Sequence, residues 1–172
     1  MTQTTQATPK SPADWRGLDV RQFHDFILVP VLQRLAPEIA YSDAARRLML
    51  GTATHESARL RFIDQKTNGP GDPPGPAYGV FQMEEATYRD CWSNFLQHRG
   101  SLSLKVREFG TVWPEGVSAM HGNLLYATAM ARAQFYRMPP PLPAGDDLEA
   151  LARYWKTHWN TAGGGGTVAE WL

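Results

Sequence analysis

The sequence predicts a mainly α-helical fold. Apolar residues recur at three- and four-residue steps through several long stretches, no stretch alternates strongly with a period of two, and Gly and Pro gather between 69 and 76. The 172 residues suffice for one domain with its own core and are short for two. A single domain is therefore expected over 15–172. It follows a disordered tail over 1–14, because the Thr, Gln and Pro of that stretch offer no apolar surface to offset the entropy of ordering it.

From Asp19 the pattern is helical: Val20, Phe23, Ile27, Val31 and Leu35 share a face, and Asp19 with Gln22 has the form of a capping box. Pro30 should kink this helix and Pro37 should end the segment. A second helix starts near Ser42, with Ala45, Leu48, Met49, Thr52, Ala53 and Glu56 on one stripe. Arg61 to Gln82 has no period and reads as a long irregular lobe with room for a small hairpin. Tyr88, Cys91, Trp92 and Phe95 mark another helix, and a short one is expected around Leu102 to Phe109. Leu124, Thr128, Ala131, Phe135 and Met138 outline a long helix that Pro139 to Pro141 stops. Asp146 with Glu149 fits the cap of the next, whose buried face is Leu148, Leu151, Trp155 and Trp159. Gly163 to Gly166 reads as a flexible hinge before a last turn, where Thr167 and Glu170 again fit a capping box.

Composition excludes several functions. Apolar residues at 42% and charged residues at 20% argue against a wholly disordered chain. Seventeen basic residues balance seventeen acidic ones, so no net field draws the chain to nucleic acid or an anionic membrane. Cys91 stands alone, which rules out an internal disulfide and a cysteine-based zinc site. The longest apolar run, Phe26 to Leu32, is too short to insert across a bilayer. The first dozen residues lack the apolar core of a signal peptide, so the expectation is a soluble protein made in a reducing compartment.

Glu56 is the informative residue. It continues a stripe that Leu48, Met49 and Ala53 bury, at the point where a helix runs into an irregular segment. A carboxyl there faces the interior or a cleft wall, where desolvation raises its pKa toward that of a general acid at neutral pH. The other reading of the same spacing is a surface glutamate paired with Arg59 or Arg61.

Four blocks of sequence then carry a resemblance. Gly51-Thr-Ala-Thr-His-Glu56-Ser57 is followed by Gly75-Pro-Ala-Tyr-Gly79-Val-Phe-Gln82-Met83 with Ala86-Thr87. Asn123 to Tyr136 and Tyr154 to Gly163, with Trp159-Asn160, complete the order. Together they resemble the lytic transglycosylase and goose-type-lysozyme branch of the lysozyme-like superfamily, over roughly Leu48 to Gly166. The resemblance implies a lysozyme-like α+β fold, helical with a small lobe flanking a glycan cleft. It implies cleavage of the β-1,4 bond between N-acetylmuramic acid and N-acetylglucosamine in peptidoglycan, with Glu56 as general acid/base and no cofactor.

Ser57 would then contact substrate or orient the carboxyl, Gly79 to Met83 would line the cleft floor with Gln82 on N-acetyl groups, and Asn160 would touch sugar near the scissile bond. The family's tyrosine before that asparagine, which can hydrogen-bond the acid, is Trp159 here, and an indole N–H donates but cannot accept. After protonation, a transglycosylase closes the muramyl 6-hydroxyl on its own anomeric carbon. An inverting lysozyme instead activates water with a second carboxylate, about 6.5–9.5 Å from the acid. The candidates for that second group are Asp64, Asp72, Glu84 and Glu85.

Other signals point nowhere specific. His55-Glu56 lacks the second histidine of a zinc-protease helix, since position 59 is Arg, and no other histidine pair has a ligand spacing, so no metal is expected. Cys91, between Tyr88 and Trp92, reads as a buried small hydrophobe. Trp92, Trp155 and Trp159 fit core stripes, while Tyr78 is the aromatic best placed for a cleft. The reading is a peptidoglycan glycosidase of phage association, released at lysis or carried in the virion. The alternative is a non-catalytic lysozyme-like virion module that binds glycan or protein partners.

Overall fold

The computed structural model describes residues 17–65, 75–110 and 116–172. The expected 1–14 tail, Asp72, Trp15 and Trp113 lie outside them. The chain is mainly α, 63% helical, with one two-stranded ribbon among the described residues. Helices form where the stripes place them. The first runs as α1 (Val20–Phe23), a π-helical turn (His24–Leu28) and α2 (Val29–Arg34). Asp19 caps it by accepting from the Gln22 N–H. The expected kink at Pro30 takes another form. Pro30 has no N–H to give and its ring crowds the carbonyl four residues back. The preceding turn widens, and the Val29 N–H reaches back to the His24 carbonyl.

Helix α3 (Asp43–Glu56) starts on Ser42, whose Oγ accepts from the Ala45 N–H at 3.1 Å. The irregular lobe contains a minimal hairpin, β1 (Ala77–Tyr78) against β2 (Met83–Glu84), pairing Ala77 with Glu84 and Tyr78 with Met83. Helices α4 (Glu85–Asn94), α5 (Gly100–Phe109) and the short α6 (Ala119–Gly122) follow. They lead into α7 (Leu124–Tyr136), buried on every face from Tyr126 to Phe135 and packed against α2, α3, α4 and α5. The long helix is thus the axis of the core, and an Ala-rich sequence lets its neighbours approach closely.

Helix α8 (Leu148–Trp155) is capped by Asp147, which accepts from the Ala150 N–H at 2.9 Å. The expected cap was Asp146 with Glu149; the chain enters one residue later, so the carboxylate at 147 meets the free N–H. A second π-helical turn (Lys156–Asn160) continues α8. The last turn, α9 (Val168–Trp171), carries the full Thr167–Glu170 capping box.

Two of the four glycines before α9 are more constrained than a hinge, and Gly163 and Gly165 have open space around them. A Cβ on Gly164 would lie 2.2 Å from the Asn160 carbonyl oxygen, and one on Gly166 would lie 2.6 Å from His55 Nε2. Trp171 seats its ring on Gly51 of α3, where a Cβ would lie 2.2 Å from it. The C-terminal segment is therefore strapped across the end of α3 that carries Glu56. No described helix is long and apolar enough to cross a membrane.

Gly51→Val should force Trp171 off its seat and cost about 1–3 kcal/mol in urea unfolding, the usual penalty of overpacking. Unchanged stability would mean that the strap does not rest there.

Candidate active site

Glu56 is the last residue of α3, and its side chain turns toward α8. There the indole Nε1 of Trp155 donates to Glu56 Oε1 at 3.0 Å. Trp155 is fully buried, and its ring meets that of His55 edge-on at 4.5 Å. Burial pushes the Glu56 carboxyl up to about 7; the Trp155 hydrogen bond and the Lys156 charge pull it down by less. An N–H can only donate, so Oε1 is fixed as an acceptor and the proton is left for Oε2. A carboxyl half-protonated at neutral pH, with one oxygen held and the other free, suits proton donation and recovery.

The chain leaves Glu56 by an unusual path. Ala58, Arg59 and Leu60 all have positive φ, at 49°, 63° and 60°, a left-handed turn that costs about 1–2 kcal/mol per residue. Ser57 holds it. Its hydroxyl is fully buried, donates to the Ala53 carbonyl at 2.5 Å and accepts from the Leu60 N–H at 2.9 Å. Both functions of that hydroxyl are committed to backbone. Of the two roles expected for Ser57, contact with substrate or orientation of the carboxyl, these bonds leave its hydroxyl in the turn that follows Glu56.

A cavity of about 230 Å³ gathers four of the expected residues, Gln82, Met83, Glu84 and Asn160, with Gln134 and Trp159 in its wall. Gln82 has φ of 51° and folds its amide back, donating to the Gly79 carbonyl at 2.7 Å. Asn160 Oδ1 accepts from Lys156 Nζ at 2.6 Å, and the same ammonium donates to the Gly164 carbonyl at 2.8 Å. Lys156 thereby links Asn160, the glycine segment and the electrostatics of Glu56.

Tyr78 and Gly79 stand apart from this cavity. The Tyr78 ring lies 4.8 Å from that of His121, and a Cβ on Gly79 would lie 2.6 Å from the Met120 carbonyl oxygen. Both serve the packing of the hairpin on α6.

The second-carboxylate candidates separate. Asp64 sits 3.4 Å from His121 Nε2, and Glu85 is bound by Arg89 at 2.5 Å. Glu84 is exposed and lines the cavity. Asp72 is outside the described residues. Trp159, where the resemblance would put a supporting tyrosine, does not donate to Glu56: its Nε1 donates to the Phe81 carbonyl at 3.2 Å and its ring stacks on Phe135 at 4.8 Å. Trp155, one helical turn earlier, supplies the donor instead. Nothing in the core stripe that contains Trp155 distinguished it. Gln134 was also missed; with Thr128 and Arg132 it is one of three polar side chains in a helix buried all round.

A larger cavity of about 720 Å³ opens beside Tyr88, Trp92, Arg107 and Tyr126. It contains none of the expected residues, and Glu56 is in the lining of neither cavity. Among the described residues no group of three or more His, Cys, Asp or Glu side chains could hold a metal ion. Comparison with protein-family models, curated proteins and solved structures finds no match.

The raised pKa of Glu56 carries a stability signature with a definite sign. Below pH 4.5 both folded and unfolded states are protonated there and the group costs nothing. Between about 4.5 and 7 the unfolded chain ionises while the folded one holds its proton, so stability falls as pH rises, by about 3 kcal/mol in all. Glu56→Gln should therefore gain stability over wild type from pH 4 to pH 8 in urea titrations; a pH-independent difference would contradict the burial. Trp155→Phe removes the donor and should move the Glu56 titration further up, and Lys156→Met should do the same.

Proposed function

We propose that the chain is a lysozyme-like glycosidase that cleaves the β-1,4 bond between N-acetylmuramic acid and N-acetylglucosamine in peptidoglycan. Glu56 is its general acid and base. The observation that carries the reading is the half-buried carboxyl poised near neutral pH on the Trp155 indole. The order of sequence blocks supports it, as does a helical fold with a small hairpin whose β2 end, Gln82 to Glu84, borders the same cavity as Asn160. The setting proposed is phage-borne attack on the cell wall, at lysis or from the virion.

In the proposed reaction Glu56 Oε2–H protonates the glycosidic oxygen as the bond to the anomeric carbon breaks. The carboxylate then takes the proton of the muramyl 6-hydroxyl as that oxygen closes on the anomeric carbon. The products are a 1,6-anhydro end and a free 4-hydroxyl, and Glu56 ends protonated as it began. This route consumes no water and needs no second carboxylate. Asp64 and Glu85 are engaged with His121 and Arg89, which favours it. The alternative is a non-catalytic module, on the ground of the tryptophan at 159 and of a second carboxylate without an assigned residue; the Trp155 donor to Glu56 favours the enzyme.

Digestion of purified peptidoglycan with mass spectrometry of the released fragments tests the proposal. Wild type should release anhydro-muramyl ends, and Glu56→Gln should lower their rate by about 10²–10⁴-fold. Reducing ends in place of anhydro ends, lost in Glu84→Gln, would make the enzyme a hydrolase with Glu84 as its base. A folded wild type that releases nothing would refute the glycosidase reading.

A further inference from the structure

The larger cavity, about 720 Å³, has no part in the proposed reaction and falls within the roughly 300–1,000 Å³ of small-molecule sites. Its wall is aromatic: Tyr88 and Trp92 on α4, and Tyr126 on α7. The polar groups of that wall form a relay that runs in one direction. Trp92 Nε1 can only donate, and it donates to the Tyr126 hydroxyl oxygen at 3.3 Å. The Tyr126 and Tyr88 hydroxyls lie 2.9 Å apart. Tyr126 is buried, and the Tyr88 oxygen is the acceptor in reach of its hydrogen. The hydrogen of Tyr88, a half-buried residue, is then left for whatever enters the cavity. Burial pushes the Tyr126 phenol up from its ordinary value, so the relay stays protonated at neutral pH.

The second donor is Arg107 on α5. Its guanidinium lies 4.5 Å from the centre of the Trp92 ring, and among the described residues it meets no carboxylate. Stacking fixes the plane of a guanidinium and leaves its N–H edge free to fork an oxyanion. Arg89, also in the lining, is occupied by Glu85. Among the described residues no acidic side chain lines the cavity. In a chain of zero net charge, this space presents donors and positive charge with no carboxylate of its own.

We propose that this cavity is a binding site for a small organic carboxylate carried on an aromatic ring. The carboxylate sits in the Arg107 fork and accepts from the Tyr88 O–H, while the ring lies against Trp92 and Tyr126. One free guanidinium neutralises one negative charge, which suits a carboxylate better than a phosphate dianion. Glu56 lines no part of the cavity, and the site is independent of the glycosidase reading.

Cinnamate, its neutral amide cinnamamide and phenyl phosphate are titrated by calorimetry into wild type, Glu56→Gln, Arg107→Met and Tyr88→Phe. Indole N–H resonances are followed by NMR, with Trp92 assigned through its absence in Trp92→Phe. Wild type and Glu56→Gln should bind cinnamate alike, about tenfold or more tighter than the amide, with the Trp92 resonance shifted. Arg107→Met keeps an unbranched apolar stem over Trp92, so it should abolish the preference and leave amide binding unchanged. Its exposed position should hold the melting temperature within about 2 °C of wild type. Tyr88→Phe removes only a hydroxyl and should weaken cinnamate by about three- to tenfold. Equal affinity for cinnamate and its amide, or a preference that survives Arg107→Met, would overturn the inference. So would tighter binding of the phosphate than of the carboxylate, shifts at other indoles with Trp92 unmoved, or no binding of any of the three.

Discussion

A carboxyl at the end of a helix normally turns to water, and Glu56 is half-buried instead, because the indole N–H of Trp155 meets it on the side of α8. That meeting needs α3 and α8 packed side by side, with the last residue of one level with the last residue of the other. Burial alone would drive the carboxyl neutral and leave a polar group unpaired; the indole offsets part of that penalty with a single donor. The result is a group kept between its two protonation states at neutral pH. Most of the surrounding structure follows from holding it there.

Two devices do the holding. Below Glu56 the buried Ser57 hydroxyl ties the Ala53 carbonyl to the Leu60 N–H, so the chain can reverse through three left-handed residues. Above it, the C-terminal strap is fastened by Lys156 on the Gly164 carbonyl and by Trp171 on Gly51. Glycine at 51, 164 and 166 is required by close approach to a ring, a carbonyl or an imidazole. The positive φ values at non-glycine residues among the described residues fall at Ala58 to Leu60, Gln82 and Thr161. Each of these lies directly after Glu56 and Ser57 or in the wall of the neighbouring cavity. Backbone strain and the candidate chemistry therefore occupy the same part of the molecule, as expected where the remainder of the fold over-determines a site.

The helices were legible because their signals are local: a stripe at three and four residues, Ser42 or Thr167 at a cap, three prolines at a stop. Glu56 was legible for the same reason, since it lies on a stripe whose other members are buried. Adjacency in sequence could not choose between the two roles expected for Ser57, because it does not say which way a side chain turns when the backbone leaves the helix left-handed. The resemblance put a supporting tyrosine where this sequence has Trp159, and the donor to Glu56 is Trp155. The π-helical turn over Lys156–Asn160 changes which face each side chain occupies, and a period of 3.6 does not anticipate it. Gly163 to Gly166 read as a hinge because composition carries no information about close packing. Gln134 is one of three polar side chains, with Thr128 and Arg132, in the buried Ala-rich helix, and nothing in the sequence singles it out.

The central claim is that Glu56 holds a proton near neutral pH because it is buried against Trp155. It is tested most directly by following the Glu56 side-chain carboxyl carbon by NMR across pH 3 to 9 in the wild-type protein, assigned through its absence in Glu56→Gln. The account predicts a single inflection near pH 7. An inflection near 4.5, the value of a solvated glutamate, would contradict it.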